Sequence, residues 1–132
     1  MTGWRSPLVF ALCVCGALAP AAARGEPDYG AEYTACVARA GGNMPAMMEC
    51  TKAAWARWDK RLNETFKKVT ERVGKDRQAQ LLAAQRLWVK YRDANCGFYN
   101  DPQGGQAAHL EADTCMLRMT AERTNELDAF AQ

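Results

Sequence analysis

Apolar residues recur at intervals of three and four along most of the chain, a spacing that predicts helices. The longest such segment, 44–73, carries six apolar or small positions on one face, and similar stripes follow over 77–95 and 107–130. A shorter helical stretch, 31–40, comes before them and ends at a pair of glycines. No segment shows the alternation of a strand. The chain is therefore predicted to be all-α, a small four-helix bundle or hairpin array with a long second helix.

The predicted second and third helices are joined by only a few residues, Gly74 to Asp76. Helices with so short a connection are expected to be antiparallel neighbours, with facing residue numbers that sum to about 151. Asp59 is then expected to face Arg92. Asp76 is expected to cap the third helix, and the glycine-rich segment 97–106 is expected to be a loop.

The first 23 residues have the pattern of a signal peptide. One basic residue precedes an apolar run of about a dozen, and a small-residue site, Ala21 to Ala23, follows. Cleavage after Ala23 is the first choice and cleavage after Ala21 the alternative, which leaves 24–132 as one domain. The apolar run is shorter than the roughly 20 residues that span a bilayer, and no second run follows. The mature protein is expected in the periplasm or outside the cell, without a membrane span.

Four cysteines remain after the leader, and in a small exported domain they indicate two disulfides with three possible connectivities. The remaining cysteines are Cys36, Cys50, Cys96 and Cys115. No close pair of the C-x-x-C kind exists among them, so a zinc site is not expected. Local pairing, Cys36 with Cys50 and Cys96 with Cys115, suits the predicted order of helices.

The composition of the chain excludes several classes of binding and catalytic site. The formal net charge is +2 and falls to about +1 without the leader, which offers no electrostatic footprint for nucleic acid. The single serine, Ser6, lies in the leader, and His109 is the single histidine. The mature chain therefore has neither a Ser-His-Asp triad nor a multi-histidine metal site. We expect no catalytic residue, metal or cofactor.

Polar residues accompany the apolar stripes of the second and third helices. They are Asp59, Asn63, Gln85 and Arg92. Polar groups beside a buried stripe need partners. We expect a structural network, with Asp59 bound to Arg92 and Asn63 bound to Gln85 or to backbone; a catalytic or ligand-binding cluster is the alternative.

In combination, these residues and the cysteines resemble the LprI family of small exported domains, which is named for a lysozyme inhibitor. The shared pattern is Tyr33-x-x-Cys36, Met48-Glu49-Cys50, Trp58-Asp59-x-x-Leu62-Asn63-x-x-Phe66, Leu82-x-x-Gln85-x-x-Trp88, Tyr91-Arg92-Asp93-Ala94-x-Cys96, Cys115 and Thr120-Ala121-Glu122-Arg123-Thr124-x-Glu126-Leu127. Phe66 stands where the family often has tyrosine. The resemblance implies a helical, disulfide-bonded envelope domain and lysozyme inhibition.

The sequence favours a non-catalytic binding protein, with lysozyme as the most specific candidate partner. Animal lysozymes are basic, so carboxylates beside apolar anchors would suit such a contact. The candidate contact residues are Phe98, Tyr99, Asp101, Glu111 and Asp113. A structural or assembly component of the envelope without inhibitory activity is the alternative. A cell-wall hydrolase using the carboxylates Glu64 and Glu71 is a third interpretation; the oligomeric state is left open.

Overall fold

The computed structural model describes Gly25 and residues 27–132, which form four α-helices and no strand. The helices are α1 (Ala31–Ala40), α2 (Met44–Arg72), α3 (Lys75–Tyr99) and α4 (Gly105–Ala131). The predicted all-α fold with four helices and a long second helix is confirmed. The predicted signal peptide, 1–23, lies outside the described residues. None of the helices in the described part of the chain is long and apolar enough to cross a membrane.

The two longest helices, α2 and α4, run parallel and pack closely along their length. The Thr65 hydroxyl on α2 donates to the Asp128 carboxylate on α4 at 2.9 Å, and Ala54 packs near Leu117 two to three turns earlier. Small buried side chains line this contact: Thr51, Ala54, Thr65, Thr120, Ala121 and Thr124. Small residues allow two helix backbones to approach, so the α2–α4 pair forms the centre of the fold.

Three of the four buried threonines in this interface, all except Thr65, satisfy their hydroxyls within their own helices. Thr51 donates to the Met47 carbonyl at 2.9 Å, and Thr124 donates to the Thr120 carbonyl at 2.8 Å. Thr120 itself donates to the carbonyl one turn earlier at 2.7 Å. A buried hydroxyl without a partner is costly, and the bond to the preceding turn removes that cost.

The prediction that α2 and α3 pack as direct neighbours is only partly correct. The two helices are antiparallel, as the short turn requires, but their backbones stay apart, and α4 packs against both. Side chains bridge the remaining space: Trp88 of α3 packs on the cluster that contains Leu62 and Leu127. Because α3 carries the chain back along the bundle, α4 can run parallel to α2 and pack against the apolar stripe of α2. The turn length fixed the direction of α3 and left its distance from α2 open.

The start of α3 differs from the prediction that Asp76 caps it. Gly74 occupies the cap position without a side-chain bond, and Asp76 lies in the first turn. There its charge favours the positive end of the helix dipole. The side chain of Gln78 donates to the Thr70 and Val73 carbonyls at 2.9 and 3.1 Å. These bonds satisfy carbonyls at the end of α2 and stabilise the tight turn.

The end of α3 also differs, because the helix continues to Tyr99 where the sequence predicted a loop from residue 97. A glycine inside a helix costs roughly 1 kcal/mol, which a helix with long-range contacts tolerates. The actual break comes at Asn100, just before Asp101–Pro102. A residue that precedes proline is disfavoured in helical conformation. Phe98 and Tyr99 therefore lie on the last turn of α3 and not on a loop.

Both predicted disulfides are present, Cys36–Cys50 and Cys96–Cys115. The first joins α1 to α2 and the second joins the end of α3 to the first half of α4. Helix α1 has no fully buried residue. It contacts the rest of the fold through the bridge, through Tyr33 on the Ala54 cluster, and through Glu32, which lies 3.3 Å from Arg57. The disulfide is therefore the main restraint on α1.

Candidate functional site

The polar network predicted from the sequence centres on Arg92, whose side chain is buried between three helices. Its Nη1 atom lies 3.8 Å from Asp59 Oδ1 on α2 and donates to Thr120 Oγ1 on α4 at 3.4 Å. Its Nε and Nη2 atoms donate to Asp93 Oδ1 at 3.0 and 2.8 Å. One arginine thus joins α2, α3 and α4 through directed polar contacts.

Two tryptophan rings flank the same guanidinium group. The Cζ atom of Arg92 lies 5.1 Å from the ring centroid of Trp88 and 6.0 Å from that of Trp55. Aromatic faces attract a cation, and this attraction strengthens when water is excluded. The charge of Arg92 is therefore balanced by carboxylates on one side and by aromatic rings on the other. All three guanidinium nitrogens thus donate to groups of the protein itself.

The other two residues of the predicted network bind different partners. Asn63 donates through Nδ2 to the Asp59 carbonyl at 2.9 Å and to Asp59 Oδ2 at 3.2 Å. Gln85 does not bind Asn63; its Oε1 accepts from Arg123 Nε at 3.0 Å. Of the two alternatives for Asn63, the bond to backbone is confirmed. The bond to Gln85 is wrong, because α4 supplies the partner of Gln85. The network divides into an α2–α3 half around Asp59 and an α3–α4 half around Arg123.

The candidate partner-binding residues do not form one patch. Tyr99 and Glu111 line a shallow groove of about 500 Å³ between the end of α3 and the first half of α4. Phe98 points its ring away from the core and is 84% exposed, and its ring meets that of Tyr99 edge-on at 6.0 Å. Asp101 lies in the turn before α4, where its carboxylate accepts from the Gln103 amide at 2.9 Å. Four of the five candidates are thus at the α3–α4 end of the molecule.

Asp113 lies elsewhere, and its grouping with Glu111 is wrong. The two residues are two positions apart on α4, which places their side chains about 200° apart around the helix. Asp113 faces the start of α2, where Lys52 and Glu49 are its charged neighbours together with His109. Its Oδ2 atom is buried without a hydrogen-bond partner, and burial raises the pKa of this carboxyl. The charges of Lys52 and His109 oppose the rise, and Glu49 adds to it.

The family of the chain follows from a comparison with protein-family models. Residues 36–127 match the model described as "Lysozyme inhibitor LprI". The chain belongs to the LprI family. No curated protein and no solved structure matches the chain.

The LprI match spans both disulfides and the whole Arg92 network. It begins at Cys36 and ends at Leu127, which packs at the α2–α4 contact. The family region therefore coincides with the part of the fold that contains both disulfides and the buried core. Two disulfides in so small a domain are typical of proteins outside the cytosol, which agrees with the family.

The acidic, histidine and cysteine side chains of the described part of this LprI-family chain are the candidates for a metal site or a carboxylate pair. Within the described residues, no group of three or more His, Cys, Asp or Glu side chains is placed to hold a metal ion. The carboxylates of Glu64 and Glu71 lie along one exposed face of α2, each 3.9 Å from the lysine one turn earlier. Hydrolysis of a glycosidic bond needs two carboxyls across a cleft, which one helix face does not provide.

Two residues of α4 that make polar contacts between helices were missed from the sequence. Arg123 lies 6.0 Å from the Trp88 ring and 2.8 Å from Glu126, and its side chain is 11% exposed. Asp128 binds Arg61 at 2.6 Å and Thr65 at 2.9 Å. The available signal was the spacing of polar residues on the buried face of α4, because residues three and four apart share a face.

Proposed function

We propose that the protein is exported, has no catalytic activity, and binds and inhibits a lysozyme. The observation that carries the proposal is the LprI family match over residues 36–127. The two disulfides support it, because a protein that meets a lysozyme outside the cytosol benefits from covalent restraint.

The groove between α3 and α4 is the contact surface that we propose. It offers an aromatic ring, Tyr99, beside an exposed carboxylate, Glu111. Aromatic side chains are enriched at protein interfaces, and a carboxylate would attract a basic lysozyme. Asp101 adds a second exposed carboxylate at the same end of the molecule. Arg118 also lines the groove, but its charge is paired with Glu122 at 3.2 Å.

A turbidity assay of lysozyme acting on cell walls tests the proposal. The oxidised protein is expected to slow the loss of turbidity at micromolar concentration. The double variant Tyr99→Ala/Glu111→Gln is expected to lose most of this inhibition. Glu64→Gln removes one carboxylate from the exposed face of α2 and serves as the matched control, with inhibition unchanged.

Two outcomes would contradict the proposal in different ways. No slowing by the wild-type protein would remove lysozyme inhibition and leave an envelope component with another role. Slowing that persists in the double variant would keep the inhibitory function and move its surface away from the groove. The structural or assembly role is the second candidate, because the Arg92 network and the bridges account for most of the family region without a partner.

A further inference from the structure

Helix α3 has an apolar face that the fold does not cover. Among the described residues, five of the six exposed large apolar side chains lie on α3. Three of them, Leu87, Tyr91 and Phe98, are 68%, 61% and 84% exposed. Ala94, also exposed, lies between the last two. We refer to Leu87, Tyr91, Ala94 and Phe98 as the α3 stripe. A contiguous apolar face of this kind on a small protein marks an interaction surface.

The spacing of the α3 stripe indicates that its partner is a helix. Its four members follow one another at intervals of four, three and four residues. This is the spacing of the a and d positions of a coiled coil, which pack against another helix. The buried face of α3, with Trp88, Arg92 and Cys96, is a different one and already contacts α2 and α4. The stripe is therefore built for a helix that is not part of this chain's own bundle.

Charges beside the stripe are complementary to those of a second, reversed copy. Arg86 and Lys90 accompany its first half. Asp93, whose Oδ1 atom also accepts from Arg92 of the same chain, accompanies its second half, and Asp101 follows just beyond the helix end. Arg86, Lys90 and Asp93 lie on one flank, because positions three and four apart share a side of the helix. When two copies of α3 meet head to tail, the basic half of each lies beside the acidic half of the other. When they meet in parallel, like charges lie together.

We propose that the α3 stripe is the interface of a homodimer in which two copies of α3 pair antiparallel about a twofold axis. Tyr91 then packs against Ala94 of the partner subunit, and Leu87 packs against Phe98 of the partner subunit. Each large side chain at the centre meets a small one, as close packing requires. A closed twofold contact of this kind uses the same surface on both copies and forms no filament.

The other pairings of the stripe are less favourable. Shifting the antiparallel register by one heptad places Leu87 opposite Tyr91 and leaves two alanines, Ala84 and Ala94, facing each other. That shift also brings Lys90 close to Arg86 of the partner subunit. A parallel pair places the two Tyr91 rings side by side and aligns the basic halves. Only the first antiparallel register matches both size and charge.

The length of the stripe sets the expected strength of the dimer. Leu87 and Phe98 are eleven residues apart, or about 17 Å along the helix axis. A contact of that length lies near the lower limit of specific interfaces, so the dimer is expected to be reversible. Its dissociation constant is expected to be on the order of 10 µM or weaker. The proposal goes beyond lysozyme binding and does not depend on it, because none of the four stripe residues lines the groove. The two surfaces are adjacent, since Tyr99 of the groove follows Phe98 on α3 and Asp101 lies beside both.

Sedimentation velocity across protein concentrations from about 5 to about 500 µM tests the association. The wild-type protein is expected to shift from monomer to dimer over this range. Leu87→Glu and Tyr91→Glu are each expected to remain monomeric with an unchanged melting temperature, since both side chains are exposed. Phe130→Glu is the matched control, because Phe130 is 67% exposed but lies at the end of α4. This control is expected to dimerise as the wild type does.

Crosslinking with a short thiol-specific reagent tests the direction of pairing. Leu87→Cys and Phe98→Cys variants are expected to crosslink when mixed and not when either is alone. In a parallel dimer each variant would crosslink to itself, which would overturn the antiparallel arrangement. A monomer at every concentration would overturn the dimer. If in that case Leu87→Glu also abolished lysozyme inhibition, the occupant of the stripe would be lysozyme and the dimer proposal would be wrong.

Discussion

Arg92 on α3 and Asp59 on α2 face each other across the bundle with 3.8 Å between Nη1 and Oδ1. The two side chains differ in environment: that of Arg92 is 10% exposed and that of Asp59 is 45% exposed. A second carboxylate, Asp93, holds the same guanidinium at 2.8 Å. The pair is therefore unequal, since Arg92 depends on the fold for its packing and Asp59 can be hydrated when unpaired.

Substitutions at the two positions are expected to differ in cost for this reason. Arg92→Ala removes a buried side chain between two tryptophan rings and is expected to lower the free energy of unfolding by about 3 kcal/mol. Asp59→Asn is expected to cost about 0–1 kcal/mol, as for an exposed pair. Urea unfolding of both variants and of the double variant measures the two costs and the coupling between them.

Arg92→Met is the control that separates packing from charge. Methionine keeps much of the apolar volume, so this variant is expected to be more stable than Arg92→Ala. Equal destabilisation by methionine and alanine would show that the charge, and not the packing between Trp55 and Trp88, is what the fold needs at this position.

Removal of the buried carboxyl of Asp113 is expected to raise the free energy of unfolding by an amount that depends on pH. Burial raises the folded-state pKa above the ordinary value of 3.8, so the folded protein holds this proton more tightly than the unfolded chain does. The free energy of unfolding then falls as the pH rises from about 3.8 through the raised pKa. Asp113→Asn is expected to be more stable than the wild type at pH 7 and equally stable below pH 3.8.

Thermal unfolding at a series of pH values measures this difference. Glu111→Gln is the control, because it removes one exposed carboxylate from the same helix. A melting temperature that is unchanged or lower for Asp113→Asn at pH 7 would mean that Lys52 and His109 compensate for the burial of the charge.

Removal of the first disulfide is expected to release α1 and leave the bundle folded. The Cys36–Cys50 bridge closes a short loop and carries roughly 3 kcal/mol in the chain-entropy model. Because α1 has no fully buried residue, little else restrains it. In the variant Cys36→Ala/Cys50→Ala, hydrogen exchange of the α1 amides is expected to accelerate strongly, while the amides of α2 and α4 remain protected.

Removal of the second disulfide provides the contrast. Cys96 and Cys115 are both nearly fully buried and join α3 to α4 within a cluster that contains Met119. Cys96→Ala/Cys115→Ala is expected to lower the global free energy of unfolding, because it removes a restraint between two long helices and the buried volume of both cysteines, whereas only Cys50 of the first bridge is buried. Equal local effects of the two double variants would contradict this division between a restraint on α1 and a core bridge.

Substitution of the one glycine on α3, Gly97, is expected to stabilise the protein. Gly97 lies inside the helix, and a Cβ atom added there would meet nothing within 4 Å. Gly97→Ala is therefore expected to raise the free energy of unfolding by about 0.5–1 kcal/mol. Gly104→Ala is the opposite case, because its Cβ would lie 2.6 Å from that of Ala108. Chemical denaturation of both variants checks the two signs.

The local features of the fold follow from the sequence. The spacing of apolar residues placed all four helices, and α1 has the predicted bounds, 31–40. Asn43 caps α2, with its Oδ1 atom accepting from the Ala46 amide at 3.0 Å, a role for which asparagine is among the preferred residues. The order of helices and the cysteine positions also selected the disulfide pairing. These features depend on periodicity, capping and short chain separation, which a single sequence records directly.

The tertiary structure decided which faces meet. Its choice of α4 as the packing partner of α2 depends on small side chains that let two backbones approach, and no local pattern specifies that partner. Gln85 binds Arg123 and not Asn63, because α3 packs closer to α4 than to α2. The same packing extended α3 past Gly97, placed Asp113 near the start of α2, and left the α3 stripe uncovered. Such outcomes depend on distances between helices, which are set by the combined volumes of side chains far apart in the chain.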